Sequence, residues 1–232
     1  MKQAMIFAAG LGTRLKPLTD TMPKALVRVG GQPLLWHVVM KLKAAGYERI
    51  VVNVHHFARQ IVDYLAANNH FGLDIRISDE TYGLLETGGG IRKARHLFDP
   101  LSPVLIHNVD ILSNLPLDRL PDDTCTLVVS QRQTKRYLQF DDSMRLVGWK
   151  NIETGEVRGH EGTPLAFSGI HVITPELLAQ MDEWPERFPI MDFYLKVCSQ
   201  HTICGYEAGN LRLMDVGKLD TLEAANDFIK QL

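Results

Sequence analysis

Short β-like segments alternate with segments of helical periodicity along the first half of the chain. Four of them predict strands of a buried sheet: Met5 to Ala9, Arg49 to Val54, Asp74 to Ser78 and Val104 to Asn108. The first is apolar throughout, as expected of a strand that is covered on both faces. Helix-length segments separate the four strands, so we expect βαβ units in which the strands pair in parallel.

The segments between these strands predict three helices. Pro33 opens the first helix and Gly46 closes it, with apolar residues along one side between them. The second helix follows strand two, where apolar residues recur at every fourth position from Phe57 to Leu65. The third helix is expected over Ile91 to Phe98, opened by the glycines Gly88 to Gly90.

The second half has shorter β-like runs, which predict a β-rich lobe inserted on or beside the sheet. These runs are Thr124 to Ser130, Leu138 to Phe140, Leu146 to Trp149 and Leu165 to Ile173. The remaining predicted elements are helices over residues 175–181 and 190–200, strands near Ile203 and over Leu211 to Asp215, and a C-terminal helix from about Lys218.

No internal repeat, low-complexity tract or long polar linker interrupts the chain. We therefore expect a single α/β domain over residues 1–232. Its predicted architecture is a Rossmann-like three-layer αβα sandwich with a mixed, mostly parallel sheet, to which the β-rich lobe is attached.

Composition excludes several classes of protein. The 232 residues include 25 Lys and Arg against 27 Asp and Glu, which gives a net charge of −2. Proteins that bind nucleic acid or anionic membranes need a basic face that shows in this total. No apolar run approaches the ~20 residues of a membrane helix. We therefore expect neither nucleic acid nor a membrane as a partner.

The cysteine and N-terminal patterns favour the cytoplasm. Cys125, Cys198 and Cys204 form no C-x-x-C pair, so they predict neither a disulfide framework nor a cysteine zinc site. Met1 to Leu11 has the lysine and the short apolar run of a signal peptide. The run spans only about eight residues, at the bottom of the usual range, and basic residues follow it at once. We expect a cytoplasmic protein without a signal peptide.

The strongest chemical signal follows the first predicted strand. It reads Gly-Leu-Gly-Thr-Arg-Leu from Gly10, Pro-Leu-Thr from Pro17 and Pro-Lys-Ala-Leu from Pro23. Glycines let backbone N–H groups approach an anion closely, and Arg14 and Lys24 add charge for phosphates. A dinucleotide fingerprint and a Walker loop would each need glycine at position 15, where this chain has leucine. The Gly-Lys-Ser/Thr that a Walker loop also needs occurs nowhere in the chain. The segment therefore predicts a phosphate cradle of another kind.

This segment resembles the signature of the sugar-1-phosphate nucleotidyltransferases. The resemblance continues in the Leu-Glu-Thr-Gly-Gly-Gly string from Leu85, the Asn-Val-Asp string from Asn108 and the Asp-Val-Gly string from Asp215. It therefore covers essentially the whole chain. The small size and the string from Leu85 are most similar to members that transfer uridylyl groups to N-acetylmuramate-1-phosphate. Mannose- and heptose-1-phosphate guanylyltransferases are the next nearest resemblance.

The resemblance implies a reaction between a nucleoside triphosphate and a sugar-1-phosphate. An oxygen of the sugar phosphate attacks the α-phosphorus of the triphosphate, and pyrophosphate leaves. The catalytic residues implied are Arg14, Lys24 and Asp110, with Mg²⁺ held by Asp110 and Asp215. Both aspartates end predicted strands, where open α/β sheets bind ligands, and Mg²⁺ needs few protein carboxylates. Each aspartate alone also fits a strand end or a helix cap.

The resemblance also divides the substrate contacts between a nucleotide-binding half, about 1–115, and a sugar-binding half, about 116–232. Nucleotide contacts are implied for Ala9, Gly10, Gly12, Thr13, Arg14, Lys24 and Gly88. Sugar contacts are implied for Glu86, Thr87, Asn108, Ser168 and Gly169. Glu86 also fits a helix cap, and the segment around Ser168 also fits a plain core strand.

Three departures from the family pattern leave the sugar open. Val109 stands where a glycine commonly precedes the metal aspartate, and Met214 and Lys218 replace the frequent Trp and Thr around the last aspartate. A Glu-Lys-Pro segment is not evident, and Gly148 to Asn151 is the nearest match. We expect these changes to affect the sugar pocket rather than the class of reaction.

Several substrate pairs therefore stay open. UTP with N-acetylmuramate-1-phosphate or a similar sugar phosphate is preferred, and GTP with mannose- or heptose-1-phosphate is an alternative. CTP with phosphocholine would need an aromatic cage, for which Trp149, Trp184 and Tyr137 are candidates. A catalytically silent regulatory homologue would be expected to lose catalytic residues, all of which are present. The sequence is compatible with a homo-oligomer and fixes no oligomeric state.

Overall fold

One ten-stranded sheet runs through both halves of the chain in this computed structural model, which describes residues 1–232. The strands are β1 (Gln3–Phe7), β2 (Arg28–Val29), β3 (Gln32–Pro33), β4 (Arg49–Val54), β5 (Asp74–Asp79), β6 (Val104–Asn108), β7 (Ile111–Ser113), β8 (Cys125–Ser130), β9 (Arg136–Phe140), β10 (Leu146–Asn151), β11 (Val157–Gly159), β12 (Thr163–Ile173), β13 (Ile203–Glu207) and β14 (Leu213–Asp215). The helices are α1 (Leu34–Ala44), α2 (Ala58–Ala67), α3 (Glu86–Ala94), α4 (Pro175–Gln180), α5 (Ile190–Val197) and α6 (Thr221–Ile229). Two short pairs, β2 with β3 and β7 with β14, lie outside the main sheet.

The first half supplies the parallel part of the sheet. β5, β4, β1 and β6 lie side by side in that order, and their pairings are all parallel. Ala4 and Ile6 of β1 are buried on one face and Met5 on the other, which explains why the central residues of this strand are all apolar. β4 lies on one side of β1 and β6 on the other, so the topological switch point lies between β1 and β6.

Helices cover both faces of the sheet. α1, α2 and α6 pack on one face through residues such as Leu35 and Leu65. α3, α4 and α5 pack on the other face through residues such as Ile91 and Phe193. The predicted Rossmann-like three-layer sandwich with a mixed sheet is confirmed.

The second half adds the antiparallel part of the sheet. The 11-residue strand β12 pairs antiparallel with β6, β8 and β9. β10 and β11 extend the sheet beyond β9, and β13 returns parallel to β8. The β-rich lobe is therefore continuous with the sheet rather than packed on it.

The bounds of some strands agree with the sequence pattern, and those of others do not. β4 and β6 have the predicted bounds, whereas β1 ends at Phe7 and not at Ala9. The prediction that three glycines precede a helix at Ile91 is wrong. α3 begins at Glu86 and contains the glycines, because the chain around Phe188 packs directly on that face of the helix. No pattern in the sequence predicts the two- and three-residue strands β2, β3, β7 and β11.

Two further features of the fold concern its helices and its cysteines. No helix combines the length and the apolar character needed to cross a membrane. Cys125, Cys198 and Cys204 are free thiols. Burial raises the pKa of Cys125 to about 12, so this thiol stays protonated and packs as a small apolar side chain.

The burial of His171 leads us to expect a loss of stability in mild acid. It is buried in β12, with its ring 5.6 Å from the rings of Phe167 and Tyr194 and no hydrogen-bond partner on either nitrogen. Burial lowers its pKa from 6.5 to about 3. Below pH 6.5 only the unfolded chain takes up this proton. We therefore expect His171 alone to lower the free energy of unfolding by up to about 1.4 kcal/mol per pH unit between pH 6.5 and 4.

Urea titrations across this pH range test the expectation. His171→Phe should show a shallower loss of stability in acid than the wild-type protein. His160→Phe, at an exposed position, should keep the wild-type slope. A His171→Phe profile as steep as that of the wild type would contradict the assignment.

Candidate active site

The candidate site lies at the switch point, beside the carboxyl ends of β1 and β6. A cavity of about 260 Å³ opens there. Its walls are Phe7, Ala8, Ala9, Gly10, Lys24, Asn53, Glu80, Leu84, Glu86, Thr87, Asn108, Val109 and Asp110. The residues predicted from the sequence that line it are Ala9, Gly10, Lys24, Glu86, Thr87, Asn108 and Asp110. The predicted residues outside its walls are Gly12, Thr13, Arg14, Gly88, Ser168, Gly169 and Asp215.

The loop after β1 presents unpaired backbone donors. The N–H groups of residues 10–13 donate to no acceptor within the chain. Gly12 has a left-handed φ of 64°, and its carbonyl accepts hydrogen bonds from Thr19 Oγ1 and from the Leu15 N–H, each at 2.8 Å. A Cβ on Gly12 would lie 2.8 Å from Thr19 Cγ2, so a larger residue would displace the loop. Successive free N–H groups of this kind form a concavity that binds anions.

Lys24 and Asp110 form an ion pair at the cavity wall. Lys24 Nζ contacts Asp110 Oδ2, and the two side chains are only 11% and 17% exposed. Lys24 begins a short 3-10 turn after Pro23. Asp110 follows β6, and the preceding Val109 N–H donates to the Phe7 carbonyl at 3.2 Å. One fixed positive charge and one fixed negative charge therefore stand where β1 and β6 meet.

A second carboxylate approaches Asp110 through the pairing of β7 with β14. Asp215 lies opposite Ile111 in this antiparallel pair, and the Val216 N–H donates to the Asp110 carbonyl at 2.8 Å. Desolvation by the surrounding protein, and after it the charge of Asp110, raises the pKa of Asp215 against the effect of three nearby cations. Two aspartates that are distant in sequence thus interact electrostatically.

The number and charge of these carboxylates fit a Mg²⁺ site. No group of three or more His, Cys, Asp or Glu side chains is placed to hold a metal ion, so a site closed by protein ligands alone is absent. Mg²⁺ commonly takes one or two carboxylates and completes its shell with water and phosphate oxygens. The repulsion that contributes to the raised pKa of Asp215 is of the kind that a cation relieves.

Arg14 lies next to Asp215. A Cβ on Gly217 would lie 2.7 Å from Asp215 Oδ1 and 2.8 Å from a guanidinium nitrogen of Arg14, so both groups crowd this glycine. Arg14 is exposed on the loop after β1. Its guanidinium is therefore beside the aspartate pair and accessible to an incoming anion.

A buried Asn53–Glu80 pair supports the cavity wall. Asn53 Oδ1 accepts the N–H groups of Ala8 (2.7 Å) and Ala9 (3.3 Å), and its Nδ2 donates to Glu80 Oε1 at 2.7 Å. Glu80 Oε2 accepts the Leu85 N–H at 3.2 Å. The pair ties the ends of β1 and β4 to the start of α3. Sequence reasoning missed both residues, although each is a polar residue at the carboxyl end of a predicted strand.

Glu80→Gln is expected to weaken this support. Both carboxylate oxygens accept hydrogen bonds, so the amide nitrogen of glutamine would face either Asn53 Nδ2 or the Leu85 N–H, donor against donor. We expect the free energy of unfolding to fall by about 1–3 kcal/mol. Urea denaturation measures the loss, with Glu48→Gln at an exposed position as the control. Equal midpoints for the two variants would show that Glu80 has no such role.

The start of α3 presents two polar side chains to the cavity and buries the next residue. Glu86 lies 3.2 Å from an Arg187 nitrogen, and Thr87 Oγ1 accepts the Ile190 N–H at 2.9 Å. Gly88 donates its N–H to the Phe188 carbonyl at 2.9 Å, and a Cβ on it would lie 2.2 Å from the Phe188 ring. The structure thus places Gly88 in a packing contact outside the cavity wall, with its N–H already bonded.

Gly169 supports Asn108 at the opposite wall. Gly169 has a φ of +75°, and a Cβ on it would lie 2.7 Å from Asn108 Nδ2. The pairing of β12 with β8 shifts register at this point, between Phe167 and His171. Ser168 is buried, and its hydroxyl has no hydrogen-bond partner. Of the predicted sugar contacts in this region, Asn108 faces the cavity, whereas Ser168 and Gly169 lie outside its wall.

Comparisons with known proteins agree with this geometry. The family model described as nucleotidyl transferase matches residues 3–122, which include the loop after β1 and both members of the Lys24–Asp110 pair. The chain belongs to the nucleotidyl transferase family. The resemblance carried by the sequence motifs is therefore confirmed.

Two curated relatives and one solved structure extend the comparison. The N-acetylmuramate alpha-1-phosphate uridylyltransferase of Caulobacter vibrioides is 35% identical over 221 residues, covering 88% of this chain and 87% of the relative. The protein of the same name from Neisseria meningitidis serogroup B is 46% identical over 184 residues, covering 75% of this chain and 76% of that relative. The structure of HddC from Yersinia pseudotuberculosis complexed with GMP-PN has a TM-score of 0.79 at 22% identity and covers 99% of this chain and 100% of its own. The last similarity shows the fold alone.

Proposed function

We propose that this member of the nucleotidyl transferase family transfers a uridylyl group from UTP to N-acetylmuramate-1-phosphate, releasing pyrophosphate. One observation carries the reaction class: Arg14, Lys24 and a pair of aspartates converge beside a loop of unpaired N–H donors. The choice of substrates is supported by the names of relatives that are 35% and 46% identical to this chain.

The proposed reaction needs no general base and no covalent intermediate, because the attacking oxygen of a sugar-1-phosphate is already anionic. Catalysis then consists of aligning the two phosphates and stabilising their charge. The N–H groups of residues 10–13 and the Arg14 guanidinium would bind the triphosphate, whose last two phosphates leave as pyrophosphate. Lys24 reaches from beside Gly12 to Asp110, where its ammonium would meet oxygens on the α-phosphorus.

Asp110 and Asp215 are proposed to hold Mg²⁺ together with phosphate oxygens and water. When bound, the ion would neutralise phosphate charge and help to orient both substrates. Lys24 balances the charge of Asp110 within the chain and lies within reach of phosphates on the loop. Arg14 adds a second fixed cation on the side of Asp215.

Sugar recognition is proposed for Glu86, Thr87 and Asn108. All three line the cavity, Glu86 and Thr87 from the start of α3 and Asn108 from the end of β6. Val109, which replaces the family's usual glycine, also lines the cavity and is buried against the core. Its side chain narrows the space beside the proposed metal aspartate.

Pyrophosphate release tests the proposal. The purified protein with Mg²⁺ is assayed with each common nucleoside triphosphate against the 1-phosphates of N-acetylmuramate, N-acetylglucosamine, mannose and heptose, and against phosphocholine. We expect release with UTP and N-acetylmuramate-1-phosphate, and its loss in Lys24→Met. Release confined to GTP with mannose- or heptose-1-phosphate would keep the reaction class and overturn the substrates. Silence across the matrix, with triphosphate binding retained, would favour the regulatory homologue.

A further inference from the structure

A second cavity, of about 460 Å³, lies in the β-rich lobe. Its wall includes the three arginines Arg132, Arg136 and Arg158, together with the aromatic side chains of Trp149 and Phe167. None of the residues assigned to the proposed reaction lines it. The cavity is therefore distinct from the active-site cavity and has room for a further group of a ligand.

The cavity borders the active site through β12 and Arg132. Gly169 of β12 contacts Asn108 at the active-site wall, and Phe167, two residues earlier, lines the second cavity. The Arg132 guanidinium donates to the Phe167 carbonyl at 2.9 Å. A sugar whose phosphate lies at Asp110 and which contacts Asn108 would extend toward this cavity.

The charges on the cavity wall are not balanced within the chain. Arg158 pairs with Asp192 at 2.7 Å and lies 5.9 Å from the centre of the Trp149 ring. Arg132 and Arg136 form no ion pair. Glu156 lines the wall together with Asp192, so the wall carries three guanidinium groups but only two carboxylates. A guanidinium without a partner beside aromatic surface is suited to a carboxylate ligand, which it binds through two parallel hydrogen bonds.

We propose that this cavity binds a carboxylate on the acceptor sugar, with Arg132 and Arg136 as the residues that recognise it. The inference rests on the proposed function and deepens it. N-acetylmuramate is N-acetylglucosamine with a lactyl ether, and the lactyl group carries a carboxylate. Phe167 and Trp149 supply apolar surface for the rest of that group. The arginines thereby select the acid-bearing sugar over its neutral parent.

Arg136→Gln is the sharper test, because the Arg136 guanidinium makes no hydrogen bond within the chain, whereas Arg132 is bonded to Phe167. Each variant is assayed with UTP against N-acetylmuramate-1-phosphate and N-acetylglucosamine-1-phosphate. We expect kcat/KM for the muramate substrate to fall about 10- to 100-fold in Arg136→Gln or Arg132→Gln, the effect of losing a hydrogen bond between charged groups. The kcat/KM for N-acetylglucosamine-1-phosphate should change by less than about threefold, which is smaller than the effect of losing one such hydrogen bond. Arg145→Gln, an exposed arginine of the same lobe, should change neither.

Two outcomes separate this inference from the proposed reaction. Wild-type protein that turns over both sugars equally, or arginine variants that keep the preference for muramate, would overturn the carboxylate cavity and leave the transferase standing. Absence of pyrophosphate release from either sugar would overturn the proposed reaction. Calorimetric binding of the two sugar phosphates then decides the cavity alone: tighter, arginine-dependent binding of the muramate form supports it, and equal binding overturns it.

Discussion

Asp110→Asn is expected to lower turnover roughly 10³-fold while the protein remains folded. Asparagine keeps the shape of the side chain but removes the charge that pairs with Lys24 and that, beside Asp215, would hold Mg²⁺. Electrostatic stabilisation of this kind is worth several kcal/mol, and about 1.4 kcal/mol corresponds to a tenfold change in rate. Steady-state pyrophosphate release at saturating UTP measures the loss.

The control for this variant is Asp142→Asn, which removes an exposed carboxylate from the β-rich lobe. It should leave turnover unchanged. Circular dichroism and the thermal midpoint of Asp110→Asn should stay close to those of the wild-type protein, because Asp110 stands at a strand end and its backbone contacts are retained. Turnover by Asp110→Asn near the wild-type rate would remove Asp110 from the catalytic machinery.

Gly89→Ala is expected to cause a large loss of stability, because the added methyl group meets backbone atoms. A Cβ on Gly89 would lie 2.3 Å from the Glu186 carbonyl oxygen and 3.2 Å from Arg187 Cα, so the backbone of the neighbouring segment must move. We expect a net fall of about 3 kcal/mol in the free energy of unfolding. This net value already includes the gain of about 1 kcal/mol from the better helix propensity of alanine. For a chain of this length the thermal midpoint should drop by roughly 6–12 °C.

Gly83→Ala provides the matched control, because a Cβ on Gly83 has no atom within 4 Å. This variant should have a thermal midpoint within about 1–2 °C of the wild type, as is usual for surface substitutions. Because α3 carries Glu86 and Thr87 to the cavity, Gly89→Ala should also lower activity at temperatures where it is still folded. Equal midpoints for the two variants would show that the contact with Glu186 is not required.

The strands of the parallel half could be predicted because each contains a short β-like segment, although the bounds of β1 differ from those predicted. Arg49–Val54 and Val104–Asn108 have the bounds that their patterns indicate. The predicted start of α3 is wrong because Gly88 to Gly90 lie inside the helix, whereas glycine is normally unfavourable in a helix interior. Close packing of residues 186–188 on Gly88 and Gly89, and of Glu80 and Asn53 on Gly90, leaves no room for side chains there and overrides the local preference.

From the residue pattern alone, the candidate site could be predicted only where its residues are adjacent in sequence, whereas the pairing of Asp110 with Asp215 is implied by the family resemblance. The loop after β1 carries its glycines and cations together, so the motif exposes it. The approach of Asp215 to Asp110 depends on the pairing of β14, which lies within the strand predicted over Leu211 to Asp215, with β7, which is three residues long and too short for any periodicity. Asn53 and Glu80 are buried polar residues whose hydrogen bonds join separate strands, which no local pattern records.

The most direct test of the proposed transfer follows atoms rather than rate. The protein is incubated with Mg²⁺, UTP and N-acetylmuramate-1-phosphate whose non-bridging phosphate oxygens carry oxygen-18, and the products are analysed by mass spectrometry. If an oxygen of the sugar phosphate attacks the α-phosphorus of UTP, all of the label should appear in UDP-N-acetylmuramate, with an equal amount of unlabelled pyrophosphate. Labelled pyrophosphate, or conversion of UTP to UMP with no nucleotide sugar, would contradict the proposed transfer.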